Sequence, residues 1–123
     1  MVGFVTNIEQ DTLENDNFRK VLYTAKNMQL VVMSLEVGEE IGLETHPEHD
    51  QFIRIDAGSA KAILNGEESE LTDGSCVVIP AGVEHNIVNT GESNLKLYTI
   101  YSPPEHADGT VHATKAEADA AEH

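Results

Sequence analysis

Turn signals recur along this chain at intervals too short for helices to form between them, and that constrains the fold more than any other feature. Asn65-Gly66 separates two strand-like runs, Lys61–Leu64 and Glu67–Leu71, and is the dipeptide that a tight hairpin turn asks for at its two positive-φ positions. Asp73-Gly74 leads into Cys76–Ile79, and Thr90-Gly91-Glu92 precedes the alternating run Leu95–Tyr101. Upstream, Gln29–Val37 is the longest apolar strand candidate, with Met33 and Leu35 on one parity, and Phe18–Thr24 supplies a strand to pair near it. Helical signals are confined to the ends. Asp11–Asn15 can form one turn, and Thr114-Lys-Ala-Glu117 has capping-box spacing ahead of an Ala-rich run without an apolar stripe. The expectation is an all-β chain whose short antiparallel strands close into a jelly-roll barrel, with short irregular or helical termini.

Length and charge narrow the setting. At 123 residues the chain is read as one domain, residues 1–123, with a barrel core at about 18–103 and a polar tail at 104–123. Acidic residues outnumber basic ones 22 to 7, a formal charge of −15 that repels phosphate backbones and anionic membrane surfaces. No nucleic-acid or membrane partner is therefore expected. Neither a secretory leader nor a membrane-length apolar run is visible, so the cytoplasm is the expected location. Cys76 is the single cysteine, which excludes an intrachain disulfide. Its place in Ser-Cys-Val-Val-Ile reads as a buried packing residue.

Two spaced patterns carry the chemistry. The first reads Gly38, five residues, Glu44-Thr-His46, four residues, Gln51, six residues, Gly58. The second reads Gly74, five residues, Pro80-Ala-Gly82, two residues, His85, three residues, Asn89. Glu44 and His46, two apart, share a face in extended chain, and His85, Ile87 and Asn89 share another. Two imidazoles and a carboxylate on facing strands form a ligand set of the kind found in facial-triad iron sites, with open positions.

These patterns resemble the paired signature of the cupin superfamily, the second half at every defining position. Glu44 stands where the family usually has its first histidine, and Gln51 where it usually has glutamate. The resemblance implies an RmlC-like barrel with Glu44, His46, Gln51 and His85 around one divalent metal ion. Glu44 restores the negative charge that Gln51 removes, and the harder donor set ranks Mn, Fe or Ni ahead of Cu, with Zn a further candidate. Gly58, Gly74 and Gly82 fall where turns need positive φ or close backbone approach. The stretch Leu97–His106, with Pro103-Pro104-Glu105-His106, is similar to that of small stand-alone cupins often labelled mannose-6-phosphate-isomerase-like, a label that rests on fold.

Further residues are candidates for supporting roles. His49 reads as a loop residue near the barrel mouth and a candidate proton shuttle, since imidazole titrates near neutrality. Glu105 and His106 are candidates for an acid–base pair at the same mouth. Arg54, alternating opposite Gln51, Ile53 and Ile55, should face outward into an ion pair. Ile53, Ile55, Ile87 and Met33 are candidates for an apolar cavity wall or plain core. The resemblance implies a small oxygenated substrate or ligand of sugar or carboxylate type. Three readings stay open: a Lewis-acid isomerase or lyase, an O₂-dependent dioxygenase, and a non-catalytic binding module. A homodimer is expected, with Phe4-Val5 a candidate exchanged strand.

Overall fold

The computed structural model describes residues 2–121. Two helices and nine strands follow in the order α1 (Ile8–Glu14), β1 (Arg19–Thr24), β2 (Gln29–Leu35), β3 (Asp50–Ala57), β4 (Ala60–Leu64), β5 (Glu67–Leu71), β6 (Cys76–Ile79), β7 (His85–Asn89), β8 (Leu95–Ser102), β9 (Val111–His112) and α2 (Lys115–Ala121). The strands form two antiparallel sheets, β6-β3-β8-β2-β1-β9 and β5-β4-β7, which face each other as a jelly roll.

Rows of paired residues on the inner face of the large sheet explain where core and site lie. Met33, Leu97 and Ile55 are opposite one another, as are Val31, Thr99, Ile53 and Val77. Most of these are fully buried, and each aliphatic side chain so placed contributes about 1.5–3 kcal/mol of hydrophobic stabilisation. The next row, Gln29, Tyr101, Gln51 and Ile79, is half polar and marks the end of the sheet where the site forms. Ala60, Ala62, Leu71 and Ile87 close the core from the small sheet.

The expected turns occur where the sequence places them. Asn65 has φ +49 and Gly66 φ +84, as the β4–β5 hairpin requires. Gly58, at φ +105 between β3 and β4, lies so close to β8 that an added Cβ would come within 3.3 Å of Leu95 Cα. Helix α1 starts at Asn7, whose side chain accepts the Gln10 N–H at 3.0 Å. Its contacts with β8, β3 and β2 cover the outer face of the large sheet. Val32 and Ser34 are buried there despite their outward parity.

Three expectations change. Cys76 is exposed, because β6 is an edge strand whose alternation turns Val77 and Ile79 inward and leaves Cys76 and Val78 uncovered. Residues 104–121 are more than a polar tail: Val111–His112 pairs with β1, and the Ala-rich run forms α2 with Ala118 buried at 1%. The capping box closes that helix, with Glu117 N–H donating to Thr114 Oγ1 at 3.1 Å and Thr114 N–H to the Glu117 carboxylate at 3.3 Å. Phe4 stacks on Tyr23 of its own chain, with ring centroids 5.4 Å apart, and is not part of a strand.

Candidate functional site

The segment before β3 lies against the edge of β7, and that pairing assembles the site. Glu44 N–H donates to His85 O at 2.9 Å and His85 N–H to Glu44 O at 2.8 Å. Residues that exchange both hydrogen bonds in an antiparallel bridge project their side chains to the same side. Glu44 and His85 are thus brought together by main chain, although 40 residues of sequence lie between them. The His46 carbonyl accepts the Gly82 N–H at 2.9 Å, which ties His46 to the turn before β7.

His46 is the hub. Its Nε2 lies 3.3 Å from Glu44 Oε2, and its ring centroid is 5.2 Å from that of His85 and 5.9 Å from that of Tyr101. His85, 3% exposed, has Nδ1 3.0 Å from the Val83 carbonyl. A carbonyl only accepts, so Nδ1 carries a proton, and in the neutral ring Nε2 presents a lone pair. Gln51 is 4% exposed and sits opposite Tyr101 on β8. Its Nε2 donates to Thr99 Oγ1 at 3.0 Å, while its Oε1 is buried with no hydrogen-bond partner among the described residues. Among those residues no group of three His, Cys, Asp or Glu side chains stands ready as a metal cage.

The remaining candidates separate. His49 does lie at the mouth: its Nδ1 donates to Pro103 O at 2.7 Å and its Nε2 is 2.9 Å from Glu105 Oε2. Glu105 also approaches His46 Nδ1 at 3.7 Å, so it joins the two histidines and does not pair with His106. His106 instead meets Tyr101 edge to face at 5.1 Å, and its Nε2 is buried without a hydrogen-bond partner among the described residues. Arg54 faces outward and pairs closely with Asp56, as expected. Ile53, Ile55, Ile87 and Met33 are fully buried in the core and do not line the cavity described next.

A cavity of about 640 Å³ opens beside His46, walled by Glu44, Glu105, His106, His112 and Arg19 among others. Sequence reasoning missed two residues here. Arg19 is 2% exposed, and the available signal was a charged residue on the same strand parity as buried Val21. Gln29, fully buried, accepts the Glu105 and His106 N–H groups on Oε1 at 3.3 and 3.0 Å and donates to His106 O at 2.7 Å. It thereby holds the loop that carries both residues.

Electrostatics follow from this packing. Burial pushes the Glu44 carboxyl up, but the His46 hydrogen bond and the charges of His46, Arg19 and His85 outweigh it and hold Glu44 below its ordinary value. Burial, then the Arg19 charge, pushes His106 down to about 4, so its ring is neutral at physiological pH.

A jelly roll with a polar, histidine-bearing mouth defines a class of small β-barrel proteins, and the comparisons place the chain within it. Residues 31–101 match the Cupin domain family; the chain belongs to that family. It is 49% identical over 125 residues to the uncharacterized protein YrkC of Bacillus subtilis, covering 97% of this chain and 67% of that one. The crystal structure of BH2720 from Bacillus halodurans superposes with a TM-score of 0.94 at 46% identity, covering 95% of this chain and 93% of the other. KdgF from Halomonas sp. has a TM-score of 0.66 at 24% identity, over 71% of this chain and 78% of its own, a likeness of fold alone. No helix among the described residues is long and apolar enough to cross a membrane.

Proposed function

We propose that this cupin holds one divalent metal ion through Glu44, His46, Gln51 and His85 and binds or transforms a small oxygenated molecule in the adjoining cavity. The observation that carries the reading is the orphaned Gln51 Oε1. A buried amide oxygen without a partner costs on the order of 1–3 kcal/mol, and a cation beside it removes that cost. The other donors suit the same ion. Glu44 is held as a carboxylate, and Val83 fixes His85 in the tautomer that offers Nε2. A set of two oxygens and two imidazole nitrogens of this kind favours Mn, Fe or Ni.

When bound, such an ion supplies Lewis acidity toward a ligand carbonyl or carboxylate. The chain's own groups do the rest. Glu105 braces His46 and His49, and His49 at the mouth can hold or pass a proton through Nε2. Neutral His106, packed edge to face on Tyr101, lines the cavity.

Elemental analysis of protein purified without chelator or affinity tag tests the metal. About one ion per chain is expected in the wild type and none in His46→Ala. Equal, substoichiometric metal in both would sink the assignment. Incubation of Fe(II)-loaded protein with candidate substrates under oxygen and under argon then sorts the chemistry. Turnover only with oxygen marks a dioxygenase, turnover under argon an isomerase or lyase, and saturable binding without turnover a binding module.

A further inference from the structure

The large sheet is nearly free of acid. Of the chain's 22 acidic residues its six strands carry two, Asp50 and Asp56, whereas β5 of the small sheet alone carries Glu67, Glu68 and Glu70. Where α1 packs on the outer face, Val32 and Ser34 are buried. Two residues nearer the mouth, an apolar row crosses five strands: Val78, Phe52, Ile100, Leu30 and Tyr23 stand opposite one another on β6, β3, β8, β2 and β1. None of them is charged and none is buried. Val78 is 63% exposed, Tyr23 is exposed, and the three between them are half-buried. Beyond Tyr23 the row runs into an apolar groove of about 200 Å³ walled by Phe4 and Met28. Single exposed apolar side chains need no explanation, but a contiguous strip of them marks an interaction surface.

We propose that a second copy of this chain docks on that row, the two large sheets packing face to face about a two-fold axis that sets Arg54 of each copy against Asp50 of the other. The inference is independent of the metal reading above. Charge identifies the occupant. Molecules of net charge −15 repel one another, so two copies meet most readily where acid is sparse, and the outer face of the large sheet is such a place. Along β3 the outward parity reads Asp50, Phe52, Arg54: a negative, an apolar and a positive group at even spacing. A two-fold axis lying along the row and passing over Phe52 exchanges the two ends of that pattern, so it complements itself twice. Both charged groups have capacity for a second partner. Arg54 meets Asp56 through Nη1, which leaves Nε and Nη2, and Asp50 accepts the Ala81 N–H on Oδ1 at 2.9 Å, which leaves Oδ2. The area suffices. Five strands about 4.8 Å apart, and four residues of about 3.3 Å rise, give roughly 500 Å² once side-chain radii are added. With Phe4 and Met28 at its end, the face approaches the ~600 Å² per partner at the low end of specific interfaces.

Light scattering and sedimentation velocity across concentrations test the face. The wild type is expected to show twice the 13.4 kDa chain mass at about 100 µM and to dissociate near ~1 µM, as a dissociation constant on the order of 10 µM implies. Val78→Glu should be monomeric at about 100 µM, because it puts a carboxylate from each copy on the row. Val37→Glu adds the same charge at a valine 57% exposed in the turn after β2, and it should stay dimeric. Asp50→Arg should weaken association at least about tenfold, since it sets like charges beside Arg54. The same change lowers the net negative charge, which by itself favours association, so weakening reports the local contact. Cys76, exposed on the same outward parity as Val78, gives a readout that needs no variant. Its modification by an aromatic disulfide reagent should be at least about threefold slower per thiol at ~100 µM than at ~1 µM. If Val78→Glu gives no cooperative thermal transition, the thiol rates and Asp50→Arg decide. The proposal is overturned by a wild type that stays monomeric, a folded Val78→Glu that still dimerises, or a monomeric Val37→Glu. An Asp50→Arg protein that associates as tightly as wild type, or a thiol rate independent of concentration, overturns it equally.

Discussion

Asn89 closes the second sequence motif, yet its role is structural. Its Nδ2 lies 3.0–3.1 Å from the carbonyls of Leu35, Glu36 and Ser93, and its Oδ1 accepts the Gly91 N–H at 2.9 Å. The amide staples three segments together at the far end of the strand from His85. Spacing marked the position but not all the partners, because the Leu35 and Glu36 carbonyls lie 54 and 53 residues away in sequence. His106 shows the opposite case, a residue whose behaviour comes from burial. Its folded pKa of about 4 lies below the ordinary 6.5. As pH falls from 6.5 toward 4, the unfolded chain takes up a proton that the folded chain refuses. Stability should drop through that window by at most about 3 kcal/mol and then level. Glu44, depressed below 4.5, contributes stability that is present above that value and lost only as pH falls through its lower folded pKa. Urea midpoints measured stepwise from pH 7.5 to 3.5 should show the upper loss in wild type and not in His106→Asn. An identical profile in both would show that His106 is not the titrating group.

At the scale of elements, the loop after β8 is built from β2. Gln29 bridges the Glu105 and His106 N–H groups, the His106 carbonyl and Thr24 Oγ1, with every side-chain polar atom in use. Replacing it by leucine removes those bonds and leaves buried main-chain groups unsatisfied, at a cost on the order of 2–4 kcal/mol. Amide exchange at Glu105 and His106 should quicken at least about tenfold in Gln29→Leu, with β3 and β8 amides slowed or quickened only by the global stability change. Uniform change across all amides would deny Gln29 its local role. The hairpins, a helical turn within α1 and the capping box of α2 were legible in sequence, since each is specified by residues within a few positions of one another, whereas the Asn7 start of α1 was not read. Pro103-Pro104-Glu105-His106 was legible as a stiff segment at the mouth. Glu105 meeting His46 and His49, not His106, was beyond reach, because that choice depends on how Gln29 draws the loop inward.

For the whole molecule, charge is the dominant unbalanced quantity. An excess of 15 negative charges on a 13.4 kDa chain destabilises the compact state through self-repulsion. Raising NaCl from about 20 mM to about 500 mM shortens the Debye length from roughly 20 Å to roughly 4 Å. The thermal midpoint should rise by at least about 2 °C, a fraction of a kcal/mol for a chain of this size. A flat or falling midpoint would place the repulsion mainly in the unfolded chain.

Sequence alone determined most of the strands, the turns between them and the motif positions of Glu44, His46, Gln51 and His85. Those properties are local: alternation, Gly and Asn at positive φ, and fixed spacing operate over a handful of residues. Tertiary structure decided what faces what. It turned Cys76 outward because β6 is an edge, paired the C-terminal Val111–His112 with β1, and closed Glu44 against His85 through a single β-bridge. It also brought Arg19 to His112, 93 residues away, at the wall of the cavity. Sheet order sets such contacts through the burial of many distant side chains at once, so no short stretch of the chain encodes them.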